Sequence, residues 1–314
     1  VKILVTGATG FVGSKLMTEL KAKNYDVVGT SRRSLQTSPE LINVGDISEQ
    51  TDWSMVLKGC DVVVHTAGRA HMMKDQAEDK LAEFRRVNRD ATLKLAHDAK
   101  AAGVTHFIFI SSIGVNGNAT SGEPFSEAST PETTSDYAIS KLEAELALKE
   151  QFANTSMAIT VIRPALICGE NAPGNIRRLL KLVESGVPLP FKGVKNKRGM
   201  VSLENVVSFI MACIENPLAK NELFVLADKE KPTTEEIIHA FAQGMNKPAR
   251  LVWFPSSIIS IGLKAIGKGN LYEQLFGSLD IDATKASRLL NWQAPVTLDE
   301  TMKKTAAFYA KGNK

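Results

Sequence analysis

The chain has 314 residues, of which 44% are hydrophobic and 23% charged, ordinary proportions for a folded globular protein. A formal charge of +4 is too mild to single out nucleic acid, and no apolar run reaches the length of a membrane span. Three scattered cysteines, Cys60, Cys168 and Cys213, lack metal-ligand spacing and point to a reduced, cytoplasmic compartment. The sequence opens directly on an apolar run, so no signal peptide is expected.

That run, Ile3 to Val5, reads as a buried parallel strand, with glycines at 7, 10 and 13 after it and a helix over Ser14 to Leu20. Gly7 permits a tight turn, Gly10 lets backbone approach a pyrophosphate, and Gly13 lets the helix pack closely on the strand. The helix start supplies free N–H groups to the phosphates, so the whole loop, with Thr9, Phe11 and Val12, is a candidate dinucleotide site. Asp26 to Thr30 reads as the second strand, ending in Ser31-Arg32-Arg33. A carboxylate there would hold both ribose hydroxyls of NAD, whereas arginines suit the 2′-phosphate of NADP. No acid occurs between 27 and 39, so NADP(H) is favoured over NAD(H).

Asp46-Ile47 follows a short strand-like stretch. Asp46 is placed either to accept from the adenine amino group or to cap a helix. Cys60 to His65 is another buried strand. The small residues after it, Thr66-Ala67-Gly68, let backbone lie against a cofactor, and His65 reads as structural. Leu81 to Ala102 carries apolar residues at helical spacing around Asn88, whose presence inside a helix calls for a bonding partner outside it. Phe107 to Ile110 is a fully apolar strand ending in Ser111-Ser112, and polar strand ends are where ligands meet an open α/β sheet. A further helix opens near Asp136. It carries Tyr137 and Lys141 on one face, where the ammonium would lower the phenol pKa for proton exchange with an alcohol or carbonyl and could also hold the cofactor ribose.

Together with Arg163-Pro164, these motifs carry a resemblance that covers nearly the whole chain. The sequence resembles the extended short-chain dehydrogenase/reductases, in their nucleotide-sugar epimerase/dehydratase branch. The resemblance implies a Rossmann-type doubly wound parallel sheet over residues 1–165, joined by segments from about 200–227. It also implies a smaller α/β C-terminal substrate lobe, mainly 166–314. It makes Ser112, Tyr137 and Lys141 the catalytic set, adds Asn88 and Pro164 to the cofactor contacts, and implies a homodimer. Ser112 would hydrogen-bond the reacting oxygen and Tyr137 would act as acid or base.

By the same resemblance Arg198 sits where the family grips the substrate diphosphate and Asn175 near the nucleotide end, while Phe191 is placed to pack beside a uracil. Arg198 also reads as a surface cation, Asn175 as a helix cap and Phe191 as a core aromatic. The dehydratases carry an acidic pair just after the catalytic Ser or Thr. Ile113-Gly114 stands there instead, which argues against a 4,6-dehydratase. The expected activity is hydride transfer at C4 of a UDP-hexose or UDP-hexosamine for surface polysaccharide, by a 4-epimerase or a one-way 4-ketoreductase. The alternatives are an NADPH-dependent carbonyl reductase of a non-sugar ketone and a non-catalytic dinucleotide sensor. Residues 251–279 are unusually apolar. They suit a helix covering the sheet or a second subunit, and less well an amphipathic helix on a membrane surface.

Overall fold

The computed structural model describes residues 1–32, 40–69, 79–255, 258–260 and 269–312. Its centre is a seven-stranded parallel sheet in the order β3-β2-β1-β4-β5-β6-β9. The strands are β1 (Lys2–Thr6), β2 (Asp26–Ser31), β3 (Leu41–Asn43), β4 (Val62–His65), β5 (His106–Ile110), β6 (Ala158–Pro164) and β9 (Leu223–Leu226). β4, β5 and β6 are buried at every residue, because helices cover both faces of the sheet and leave no strand face to water. One face is covered by α1 (Phe11–Ala22) and α7 (Leu203–Glu215). The other is covered by α4 (Ala91–Ala101) and α5 (Asp136–Phe152). This is the doubly wound α/β fold expected from the sequence.

The strand order reverses beside β1. β2 and β3 lie to one side of it, β4 and its successors to the other, with Ile3 facing both Val27 and Val62 in register. Reversal opens a crevice above the carboxyl ends of β1 and β4, where open α/β sheets bind ligands. The chain leaves the sheet after β6 and forms a small parallel pair, β7 (Leu166–Cys168) with β8 (Met200–Ser202). It then returns through α7 to lay β9 along β6 in parallel, Val161 opposite Leu223.

The C-terminal region has its own apolar cluster. It is built on α6 (Gly174–Ser185), α8 (Thr234–Gly244) and a last helix over Leu298–Gly312. Two shorter helices, α9 (Gly269–Phe276) and α10 (Thr284–Leu290), precede that last helix, α11. α9 lies within the apolar stretch, and its Phe276 packs 5.0 Å from Phe191, centroid to centroid. This part of the stretch therefore covers the C-terminal core, while 256–257 and 261–268 lie outside the described residues.

Two elements differ from their sequence readings. α1 begins at Phe11 rather than Ser14, so the glycine loop is shorter and Gly13 is already inside the helix. The helix read over 81–102 is three pieces: α3 (Lys80–Arg85), a single π-helical turn over Arg86–Asp90, and α4. Insertions of this kind are frequent at functional sites, and Asn88 is at the middle of this one.

Candidate active site

The glycine loop is tight because side chains would not fit. Gly7 has a φ of +68°, and a Cβ on it would fall 2.8 Å from the Ala67 nitrogen. A Cβ on Gly13 would fall 2.2 Å from the Gly7 oxygen and 2.9 Å from Thr66 Oγ1. Ser14 N–H bonds back to the Gly10 oxygen at 2.9 Å. The amides of Phe11, Val12 and Gly13, at the very start of α1, are those that a helix leaves to an anionic ligand. Beside this loop lies a cleft of about 580 Å³, lined by Gly7, Thr9, Gly10, Ser31, Arg32, Asp46, Ile47 and Thr66 to Gly68. The loop's bare glycines and this adjoining crevice fit a dinucleotide.

The sequence reading missed Arg69 and Arg86, which also line the cleft. Both guanidiniums pair with Glu83, at 2.8 and 2.6 Å. The π turn explains Asn88. Its side chain is fully buried, accepts from Arg69 N–H at 2.8 Å and donates to the Arg69 oxygen at 3.1 Å and to Ser140 Oγ at 3.0 Å. Asn88 thus holds the backbone just after Thr66-Ala67-Gly68 against α5, and this is the outside partner its position called for. His65 is likewise structural, with its ring nitrogens 2.6 Å from Thr6 Oγ1 and 2.9 Å from Thr92 Oγ1. Burial pulls its pKa down to about 3.

Ser112, Tyr137 and Lys141 are not among the residues lining the cleft, but Lys141 approaches it at Gly68. A Cβ on Gly68 would lie 3.3 Å from Lys141 Nζ, which places the ammonium against the cofactor-side loop. Lys141 donates to the Ile110 oxygen at 2.9 Å and sits 4.5 Å above the Phe109 ring. Ser112 lies two residues past the end of β5, and its Oγ accepts from Gly114 N–H at 3.1 Å, so the hydroxyl is fixed by its own turn. Its side chain is near enough to the half-buried Tyr137 phenol to draw the phenol's pKa down. Phe84 packs edge-on to the Tyr137 ring at 6.0 Å.

The expected lowering of the phenol pKa by Lys141 is not found. Burial pushes Tyr137 up to about 12, and the Ser112 side chain is what pulls the other way. Lys141 is itself pulled down to about 8 by burial, with the Glu145 carboxylate holding it up.

Beneath this set is a buried polar network that motif reading did not find. Glu145 takes Arg163 Nη2 at 2.5 Å and Nε at 3.0 Å, and accepts from the Ser111 hydroxyl. Arg163 Nη1 reaches Asn116 Oδ1 at 2.9 Å. One signal was in the sequence. Ala138, Lys141, Ala144, Glu145, Leu148 and Phe152 form the buried stripe of α5, and a charged residue on an apolar stripe needs a partner. Pro164, beside Arg163, is buried at the end of β6.

On the C-terminal side, Arg198 donates to the Gly277 oxygen at 3.0 Å, and no carboxylate pairs with it among the described residues. Burial draws its guanidinium below the usual value, an environment that favours an incoming anion. Asn175 is exposed in the first turn of α6, where Arg178 donates to it at 3.3 Å. Phe191 is 4% exposed and belongs to the C-terminal core. None of Arg198, Asn175 and Phe191 lines the 580 Å³ cleft.

Residues 3–227 match the model of the NAD dependent epimerase/dehydratase family. The chain belongs to that family. A UDP-glucose 4-epimerase of Vibrio cholerae is 38% identical over 99% of this chain and 96% of its own. An N-acetyl-alpha-D-glucosaminyl-diphospho-ditrans,octacis-undecaprenol 4-epimerase of Escherichia coli O157:H7 is 27% identical over 98% of this chain and 94% of its own. A UDP-glucuronic acid 4-epimerase of Bacillus cereus, solved with UDP-glucuronic acid and NAD, superposes with a TM-score of 0.79 at 24% identity. That match covers 100% of this chain and 99% of the other.

The preference for NADP does not stand. The epimerase/dehydratase family is described as NAD dependent, and the Bacillus cereus enzyme was solved with NAD. Arg33 lies outside the described residues, and Arg32 is 3.8 Å from the Asp46 carboxylate at the same cleft. Arg32 thus shares the cleft with an acid, which a 2′-phosphate bound there would also face. The residues after Ser112 keep their reading: Ile113 is buried and Gly114 brings no side chain, so no carboxyl stands there.

Proposed function

We propose that the protein is an NAD-dependent 4-epimerase of a UDP-hexose or UDP-hexosamine. The observation that carries this reading is the meeting at Gly68 of the dinucleotide crevice with Lys141, one turn of helix from Tyr137 and its Ser112 neighbour. NAD would be held by the loop from Gly7 to Gly13, by Asp46 and Ile47, and by Thr66, Ala67 and Gly68, with Asn88 and Pro164 supporting the cleft. When bound, it supplies the hydride acceptor and donor for the sugar C4.

Tyr137 takes the C4 hydroxyl proton and returns one when the carbonyl is reduced. With its pKa near 12 the phenol rests protonated, ready for the acid half, and the Ser112 side chain supports the base half. Lys141 contributes a cation beside the cofactor loop. Arg198, desolvated and without a carboxylate partner among the described residues, is the candidate for the substrate diphosphate. Asn175 and Phe191 remain proposals for the nucleotide end, Phe191 through a core that shapes the site from behind.

The one-way ketoreductase reading drew on the arginine pair as a sign of exchangeable NADPH and loses that support. The proposal places the enzyme in the cytoplasm as a homodimer that makes precursors of surface polysaccharide and binds no nucleic acid. Among the described residues no helix is long and apolar enough to cross a membrane. The test is incubation of the purified protein with UDP-glucose or UDP-N-acetylglucosamine and no added cofactor, read by NMR. Appearance of the C4 epimer is expected. No epimer with either sugar, even after NAD is added, overturns the proposal.

A further inference from the structure

A second groove, of about 400 Å³, lies in the C-terminal region between Lys192–Asn196 and the Trp253-Phe254-Pro255 stretch. Backbone bonds hold its two banks together: Val252 N–H to the Leu189 oxygen at 2.9 Å and Lys192 N–H to the Val252 oxygen at 3.3 Å. Tyr272 and Phe276 stack within it, centroids 5.0 Å apart and planes 14° from parallel. Its outer bank is bare hydrocarbon and aromatic surface, with Trp253 70% exposed, Phe254 46% and Val252 42%. Apolar side chains this exposed and adjacent mark an interaction site.

The groove joins the candidate diphosphate site at one atom. The Gly277 oxygen accepts from Arg198 Nη1 at 3.0 Å and from Asn196 Nδ2, on the groove floor, at 3.1 Å. Whatever continues past a diphosphate on Arg198 has this groove as a neighbour. The groove is poorly equipped to read a nucleoside. Asn196, its one side-chain amide, spends its nitrogen on Thr234 Oγ1, Leu275 O and Gly277 O and its oxygen on Thr234 N–H. Apolar faces remain, with Lys192 and Lys195 at the rim, neither paired with a carboxylate among the described residues. Glu235, the nearby acid, accepts from the Gly193 N–H. Aromatic and apolar surface with lysines at its edge suits a hydrocarbon chain that carries an anionic head.

We propose that this groove binds the isoprenoid chain of a sugar carried on a polyprenyl diphosphate, so that the enzyme also epimerises the lipid-linked hexose. The inference rests on the reading of Arg198 as the diphosphate residue and of the reaction as C4 epimerisation. In this arrangement the sugar and diphosphate occupy the same place on either carrier, and only the lipid enters the groove. Proton and hydride bookkeeping at C4 is unchanged, so no further reactant is needed.

The test compares one sugar on two carriers: N-acetylglucosamine on UDP and on undecaprenyl diphosphate in detergent micelles, then glucose on both. Full-length wild type is run beside Trp253→Ser and Phe254→Ser, both changes at exposed positions. Wild type is expected to epimerise the lipid-linked sugar. The variants should lose at least tenfold in kcat/KM on it while staying within twofold on the UDP-sugar. A second readout needs no turnover: farnesyl diphosphate should shift the emission of Trp253, and Trp253→Phe should abolish that shift. Turnover of the UDP-sugar alone, with emission unmoved, overturns the inference and leaves the epimerase reading intact. Failure on both carriers overturns both. Loss of self-association in the variants, with lipid turnover unchanged, assigns the groove to a second copy of the chain and overturns the inference as well.

Discussion

The sheet and the C-terminal groove treat polar and apolar groups in opposite ways. Around Tyr137 the structure buries charges and saturates them: Glu145, Arg163, Asn116 and Ser111 all lie inside the protein and all have partners. Around Trp253 it does the reverse, exposing aromatic surface over a floor whose amide is already committed. A reaction centre needs atoms held to a fraction of an ångström, and a buried network supplies that. A site for a flexible chain needs only area. The same protein is therefore expected to be intolerant in one region and permissive in the other.

The largest effect should come from the reacting group itself. Tyr137→Phe is expected to lower kcat by about 10³-fold, the usual range for a lost proton donor, while leaving the melting temperature within a few degrees. A loss of less than tenfold would remove Tyr137 from its role. Next, Glu145→Gln should cost about 3–5 kcal/mol in urea unfolding, because it strands the buried Arg163 guanidinium. Restoring a carboxylate with Glu145→Asp should recover part of that. A cost below about 1 kcal/mol would show that the network is not a rigid support and would blur the contrast between the regions.

Gly13→Ala comes third. Its methyl would meet the Gly7 oxygen, and an expected loss of about 1–3 kcal/mol should be accompanied by weakened NAD binding. Calorimetry and NAD titration read the two separately. A test that needs no substitution is pH. His65 and His106 are held neutral by burial, with pKa values near 3 and 4. The unfolded chain takes up their protons as pH falls through about 6.5, whereas the folded chain does so only near 4 and below. Stability should therefore be full above pH 7 and fall by about 1.4 kcal/mol per pH unit for each histidine between about 6 and 4.5. Stability that stayed flat over that interval would contradict the burial argument.

Local spacing made part of the site legible. Three glycines after an apolar strand, and a Tyr and Lys four apart on a helix, are patterns within one element, and the structure brings the Lys141 ammonium close to Gly68 at the edge of the glycine-loop crevice. The network was hidden because its members meet only after folding: Glu145 is on α5, Arg163 on β6 and Asn116 in the turn after Ser112. Asn88 showed that it needed a partner but not which one. The error over NADP has the same origin. Ser31-Arg32-Arg33 was read along the chain, while the neighbouring acid, Asp46, reaches Arg32 from beyond the end of the adjacent strand β3. Charge at a strand end belongs to the sheet edge, not to the strand alone.

The return of β9 to the edge of β6 has a consequence for how such a protein could be rebuilt. The sheet is finished by residues that come after β7, α6 and β8, so the portion that forms the crevice is not a detachable cassette. A chain ending at 165 would leave the outer backbone groups of β6 unpaired, an open template for another strand. Recombination that exchanged only the part after 165 would have to carry a matching β9 with it, and new specificities can be grafted more safely within loops than by swapping halves.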